Sequence, residues 1–254
     1  MTEKRFDNKL SGRNLAFQPL YKQVEEHVTQ LIVEQRWKPG DVLPNEFQLA
    51  GEFGVSQGTM RKALNALTDA KILTRKQGIG TFVSEHTGQS GLYRFFPLIA
   101  DGKKPELPHA QLDSVELVDP SPVVIKALNL ADDESAVMMK RRRILDQQYC
   151  ILETIYVPHS SFEGLEKLED IPHTLYHFYQ TQFGMTVHET SDSIKAVLAD
   201  EESAEKLCIE KGQPLIEVTR IAQSLNGSPM EYRVSLCRTD NYHYLVNLDW
   251  YAEP

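Results

Sequence analysis

Apolar residues first recur at Leu20, Val24, Val28, Leu31 and Ile32, the spacing of one helical face, with Pro19 just before the first turn. The stretch WKPGDVLP ends that helix, because Pro39, Gly40 and Pro44 force a turn. Asn45 then stands where an N-cap belongs, and Gln48 three residues on completes a capping box for a second helix running to about Phe53. Gly54 supplies the positive φ of a tight helix exit. Ser56 caps a third helix to about Ala70, with Met60, Ala63, Leu64 and Leu67 as its buried stripe. Beyond it, ILTRKQGIGTFV alternates in strand fashion on both sides of GIG, which predicts a glycine-tipped hairpin over residues 72–76 and 80–84.

After the polar stretch EHTGQSG the pattern becomes mixed strand and helix, and part of it repeats. ALNLADDESAVMMKRRRILDQQYCILETIYV lies on KLCIEKGQPLIEVTRIAQSLNGSPMEYRVSL, with Leu128 on Leu207, Arg141 on Arg220 and, after one gap, Glu153 on Glu231. Each copy reads as a helix end, a strand, a turn and a returning strand, with turns near Asp146-Gln147 and Asn226-Gly227. Two such hairpins predict one antiparallel sheet, packed by helices near residues 121–129, 173–182 and 201–208. The fold class is therefore α+β: a helical, hairpin-bearing domain over residues 15–85, a linker at 86–91 and a sheet domain over 92–254.

Composition changes this picture little. The 254 residues, 41% of them hydrophobic, suit two soluble domains. No apolar run approaches the roughly 18 residues of a membrane helix, and MTEKRFDNKL has no apolar stretch that could serve as a secretory signal, so no membrane partner and a cytoplasmic location are expected. The three cysteines, Cys150, Cys208 and Cys237, form no CxxC pair. Charge matters more. The chain carries a formal −9, yet residues 1–86 hold 12 Lys/Arg against 10 Asp/Glu while residues 87–254 hold 15 against 26. A local basic surface can still meet a polyanion, because exposed charges beyond about 8 Å are largely screened.

Such a surface is visible on the third helix, where Gln57, Gly58, Arg61, Lys62 and Asn65 lie opposite the buried stripe. At the start of the second helix of a tight pair, these side chains are placed for base edges and phosphates in a major groove, and Gly58 lets the backbone approach. A merely solvated face is the alternative; the hairpin argues against it, since Arg75 and Lys76 flank a tip able to reach a neighbouring groove. In the sheet domain, KRRR at 140–143 places Arg141 and Arg143 on one strand face and Lys140 and Arg142 on the other. With Glu153 on the partner strand and Glu231 in the related hairpin, two Arg and two Glu can line a concavity for a small acid bearing a second polar or cationic part. Tyr156, Tyr176 and Tyr232 are candidate lining residues. His173 and His177 have i, i+4 spacing, but no Glu completes an HExxH and no third ligand is indicated, so no metal or other cofactor is expected.

PLYKQV, KPGDVLPNEFQLAGEFGVSQGTMRKALNAL and RKQGIGTFV together resemble the winged-helix domain of the GntR family of bacterial transcription regulators. The resemblance implies binding of double-stranded operator DNA through Asn45, Glu46, Ser56, Gln57, Gly58, Thr59, Arg61, Lys62, Arg75, Gly78 and Gly80. Departures are Asn45 in place of the usual Ser, Phe47 where an Arg often sits, and Gln57 in place of a frequent Arg. The spacing of Arg141, Arg143 and Glu153, with LETIYVP and EYRVSLCRTD, resembles the UTRA ligand-binding domain of the HutC subfamily, whose fold is like that of chorismate lyase. That resemblance implies an effector site of Arg141, Arg143, Glu153, Glu231, Tyr176 and Cys237, with Arg238 and Asp240 structural. Cys237 replaces the Tyr of sugar-phosphate-binding relatives and FFPLIADG lacks their hydroxyl-rich loop, so a small carboxylate is the expected anionic metabolite. A homodimeric repressor is expected, since a two-fold pair reads two half-sites. The rival classes are a lyase-like enzyme, for which no nucleophile with an adjacent base is present, a metal-sensing DNA-binding protein, and a DNA-binding protein with a purely structural second domain.

Overall fold

The computed structural model describes residues 18–85 and 97–246, which fall into two compact units meeting at Ser84 and Glu85. The linker expected at 86–91 lies outside the described residues. In the first unit, α1 (Leu20–Val33) buries Val24, Val28 and Ile32. α2 (Glu46–Phe53) begins at a reciprocal capping box: the Gln48 N–H donates to the Asn45 side chain and the Asn45 N–H donates to that of Gln48. Gly54, at φ 64°, ends it in the left-handed region. α3 (Gln57–Asp69) is capped by Ser56 and buries the expected Met60, Ala63, Leu64 and Leu67. β1 (Leu73–Lys76) and β2 (Gly80–Val83) form the antiparallel wing, and residues 40–43 run beside β2 through Gly40 N–H to Val83, Val83 N–H to Asp41 and Leu43 N–H to Thr81.

The second unit is one six-stranded antiparallel sheet with a two-stranded ribbon on it. The ribbon is β3 (Leu98–Ala100) paired with β10 (Tyr242–Tyr244). The sheet contains β4 (His109–Val118), β5 (Ala136–Leu145), β6 (Gln148–Pro158), β7 (Val187–Leu198), β8 (Pro214–Ser224) and β9 (Pro229–Arg238), in the order β4-β5-β6-β9-β8-β7. The halves are related copies that meet where β6 pairs with β9. In each, the edge strand leads into a short helix, α4 (Pro122–Leu128) or α6 (Glu201–Leu207), which ends in a left-handed residue, Asn129 at φ 53° or Cys208 at φ 55°. A third helix, α5 (Leu175–Gln182), joins the halves.

The hairpin registers correct one feature of the repeat. Arg141 pairs with Glu153 across β5 and β6, whereas Arg220 pairs with Arg233 across β8 and β9, so Arg233 rather than Glu231 occupies the place of Glu153. The reason is the turn. Both hairpins carry a bulge, after Arg143 and after Ala222, but Asp146 and Gln147, both at positive φ, close the first as a two-residue turn while the second closes through the longer Asn226-Gly227 turn.

Each face of the sheet has its own cover. α4 packs Val124 and Leu128 near Tyr156 and Tyr232, and α6 packs Ala204 and Leu207 near Leu152 and Leu236. The opposite face is apolar at both ends: Val137, Met139, Ile155 and Val157 lie under α5, and Leu145, Ile151, Val218 and Cys237 lie under the ribbon. Between those clusters this face carries Arg141, Arg143, Glu153, Arg220, Glu231 and Arg233, all buried. No helix among the described residues is long and apolar enough to cross a membrane. Because Leu207, at the end of α6, is fully buried against the sheet, Leu207→Ala is expected to destabilise the sheet unit by about 2–5 kcal/mol. Urea unfolding of the full chain should register that loss with the winged-helix transition unmoved.

Candidate functional site

On the winged helix, Gln57, Gly58, Arg61, Lys62 and Asn65 are exposed on one side of α3, and Arg75, Lys76 and Gly78 are exposed on the wing. The cations are held rather than free. Glu46 accepts from Arg61 Nε at 2.8 Å and from Arg75 Nη2 at 3.1 Å, tying the recognition helix to the wing. Lys62 Nζ lies 3.9 Å from the centre of the Tyr21 ring. Asn45, Ser56 and Thr59 spend side-chain bonds on the helix starts: Asn45 on Gln48, and Ser56 and Thr59 on each other. A Cβ on Gly58 would find nothing nearer than Ser56 Oγ at 3.9 Å, so packing does not demand glycine there. Gly78, at φ 73°, and Gly80, at φ 148°, are both required by conformation, and a Cβ on Gly80 would also lie a tight 3.0 Å from Val42 Cγ2.

The second constellation is the charged belt of the sheet unit, set by strand alternation. Arg141 donates through Nη2 and Nε to Glu153 Oε2 at 2.6 and 3.1 Å, and Arg233 Nη1 donates to Glu153 Oε1 at 3.0 Å. Arg233 also grips Glu231 through Nε and Nη2 at 3.0 and 2.9 Å. The Tyr176 and Tyr179 hydroxyls complete that carboxylate, each at 3.0 Å. Arg220 forks onto Asp192 with two contacts of 2.7 Å, and the Tyr244 hydroxyl of the ribbon donates to the same carboxylate at 2.8 Å. Arg143 Nη1 donates to the His173 carbonyl at 2.8 Å, and Arg141 Nη1 makes a long 3.4 Å contact to that of Pro172.

Among the described residues the belt therefore combines four guanidiniums with three carboxylates, one more positive group than negative. A bulge accounts for it. In the second copy Asp192 stands directly opposite Arg220, but in the first the register slips between Leu112 and Ser114, so Asp113 turns to the other face and pairs with Arg142 at 3.0 Å. Leu112 is left opposite Arg141. Burial is the largest influence on Arg143 and draws its guanidinium down to about 9, still charged at neutral pH. Burial pushes the Glu153 carboxyl up, but Arg141, Arg233 and Arg143 outweigh it and hold the group far below the usual carboxylate range. Burial, then Glu231, pushes the Tyr176 phenol up to about 12, so it is a neutral donor.

These contacts revise several expectations. Both oxygens of Glu153 and of Glu231 are engaged by protein donors, so neither carboxylate faces outward as a free acceptor. Tyr156 and Tyr232 sit on the α4 face, 6.2 Å apart, and not with the belt. His173 precedes α5, so its spacing from His177 is not helical; its ring packs edge-on against His109. Cys237 lines a cavity of about 30 Å³ with Glu153, Arg220, Arg233, Ser235 and Tyr244, beneath Pro97 and Leu98; its thiol is pushed up by burial. That space admits water but no metabolite. Arg238 pairs with Asp240 and donates to the Tyr149 carbonyl, a turn-fixing contact. Arg233, Tyr179, Asp192 and Tyr244 were missed from sequence, although Arg233 lies two residues from Glu231 on one strand and so had to share its face.

Residues 105–243 match the UTRA domain family and residues 20–83 match the gntR family of bacterial regulatory proteins. The chain is 28% identical to the mannosyl-D-glycerate transport/metabolism system repressor MngR of Escherichia coli, over 91% of this chain and 97% of that one. It is 26% identical to the HTH-type transcriptional repressor NagR of Bacillus subtilis, over 91% and 95%. Among solved structures, it superposes with a TM-score of 0.57 and 26% identity on a ligand-binding domain described as that of a GntR-family regulator from Bordetella bronchiseptica, covering 62% of this chain and 99% of that one.

A buried carboxylate with a depressed pKa stabilises the fold above the ordinary carboxylate pKa, and that contribution is lost as pH falls below it toward the folded value. Glu153→Gln is accordingly expected to cost about 3–5 kcal/mol at neutral pH, having broken a buried pair. The gap from wild type should narrow below about pH 4. Denaturant titrations across that range measure both.

Proposed function

The chain belongs to the GntR-type transcriptional regulators that carry a UTRA effector domain, and from that membership we propose an anion-responsive repressor whose effector binds at the charged belt. The observation that carries this reading is the displaced Asp113. In one copy of the repeat a carboxylate forks onto the inner arginine; in the other the bulge has removed it, leaving Arg141 and Arg143 with excess positive charge beneath the segment Pro172–His173. The effector's carboxylate takes, against those two arginines, the place that Asp192 takes against Arg220. Arg143 gains most, since an adjacent anion offsets the cost of its burial. Glu153, Glu231 and Arg233 act as the frame that aims the arginines. The relative MngR is named for a system handling a glycerate derivative, itself a carboxylate, which favours this ligand class.

Transmission follows from chain order. Pro97 and Leu98 roof the cavity beside the belt and directly follow the segment leading from the winged helix, while Tyr244 of the same ribbon is bonded to Asp192. Admitting an anion requires the ribbon or the Pro172–His173 segment to shift, and a shift of the ribbon pulls on the linker. In a homodimer, the state we propose for DNA reading, this changes the spacing of two winged helices; a preference of about 1–3 kcal/mol between states suffices for regulation. The absence of a nucleophile and base pair among the belt residues disfavours a lyase-like reading.

The test is fluorescence anisotropy with duplex DNA from upstream of the chain's own coding region, across salt concentrations and with a panel of small carboxylates and sugar phosphates. Salt-sensitive specific binding is expected, weakened by about 1–3 kcal/mol in Arg61→Ala. One carboxylate should release wild type but not Arg143→Leu, which keeps its DNA affinity. Release by compounds lacking an anionic group, or equal release of both proteins, would overturn the effector reading.

A further inference from the structure

Among the described residues the most exposed large apolar side chain is Phe47, 77% open to solvent. It stands in the first turn of α2 and outside the buried set of Leu49, Ala50 and Phe53, so the fold does not use its ring. Its position is specific nonetheless. Glu46 reaches α3 through Arg61 and the wing through Arg75, and Phe47 is the next residue of the chain, in the same first turn of α2. The exposed side chains of α3 include Gln57, Arg61, Lys62 and Asn65, all polar or cationic, and β1 adds Arg75; Ile79 at the wing tip is an exposed apolar side chain of the same unit.

A phenyl ring in such a surface has no donor for a phosphate and no group that pairs with a base edge. The apolar feature that a major groove offers is the C5-methyl group of thymine, and Phe is among the side chains that meet it. We infer that Phe47 is a base-reading residue, its ring packed on the methyl group of one thymine in each half-site. The inference rests on the first unit's role in reading operator DNA. Arg61, fixed by Glu46, sets the register, and Phe47 supplies thymine discrimination beside it. This contact neutralises no phosphate, so its share of affinity is independent of salt.

The test begins with selection of preferred sites from a randomised duplex pool by the full-length protein. Each thymine in the selected site is then replaced singly by deoxyuridine, which removes only the methyl group. At one thymine per half-site, replacement should weaken wild type about 4-fold, the worth of one buried carbon. Phe47→Ala should bind the thymine and uracil sites equally, at the weakened level, with the salt slope of wild type. Phe47→Leu, which keeps an apolar contact, should retain part of the discrimination. Because the side chain is exposed, both variants should keep the far-ultraviolet dichroism of wild type. Full discrimination in Phe47→Ala, or a salt slope changed by about one, would overturn the inference. A pool yielding no preferred site would instead overturn the operator reading, and this inference with it.

Discussion

The sheet unit is organised by a constraint of charge burial: six ionised side chains sit on the inner face of four strands, and each must find its counterpart there. Arg233 makes this possible. It bridges Glu153 and Glu231, two buried carboxylates on neighbouring strands that would otherwise lack sufficient compensation. Removing ions from water costs several kcal/mol each, so such a belt persists only when bonds are made at nearly every donor and acceptor. Tyr176, Tyr179 and Tyr244 supply the remaining donors, and apolar clusters at either end exclude water and strengthen the pairings. A belt of this kind contributes little net stability compared with an apolar core. Its value lies in geometry, because it fixes guanidinium orientation before any ligand arrives.

The near-symmetry of the two halves makes the asymmetry informative. Strand order, helix caps and inner arginines repeat, yet Asp192 turns inward where Asp113 turns outward, and a single bulged residue separates the two outcomes. An extra residue in a strand reverses which face a side chain meets, so a one-position insertion can empty a carboxylate subsite without disturbing the sheet. The cationic excess is a product of that slip. The same logic places the belt close to the chain's switchable parts: the ribbon that follows the interdomain segment covers one end, and the turn before α5 touches Arg141 and Arg143 at the other.

Much of this was legible in sequence, for identifiable reasons. The winged helix was read nearly residue by residue, because its caps are local: Asn45 with Gln48, Gly54, and Ser56 with Thr59 each satisfy helix-end groups within a few positions. Strand alternation correctly placed Arg141 and Arg143 together, and the repeat foretold two related hairpins. What failed depended on register. Matching Glu153 to Glu231 made the second hairpin one residue shorter than the first, whereas its register makes it one residue longer, so Arg233 was overlooked as the counter-ion and the carboxylates were taken for open ligand groups. The facing of Asp113 depends on a bulge that no short window encodes, whereas Tyr156 and Tyr232, an odd number of positions from Glu153 and Glu231, are placed by plain alternation on the other face.

If the buried Arg141 and Arg143 form an anion site, calorimetry of the full-length protein detects it most directly. Melting would be followed with inorganic phosphate and with a series of small carboxylates at matched ionic strength, for wild type and Arg143→Leu. A ligand that binds only the folded state raises its melting temperature as its concentration rises. At least one carboxylate should stabilise the sheet unit of wild type and leave Arg143→Leu unmoved. Equal stabilisation of both proteins by every anion, or none of either, would contradict it.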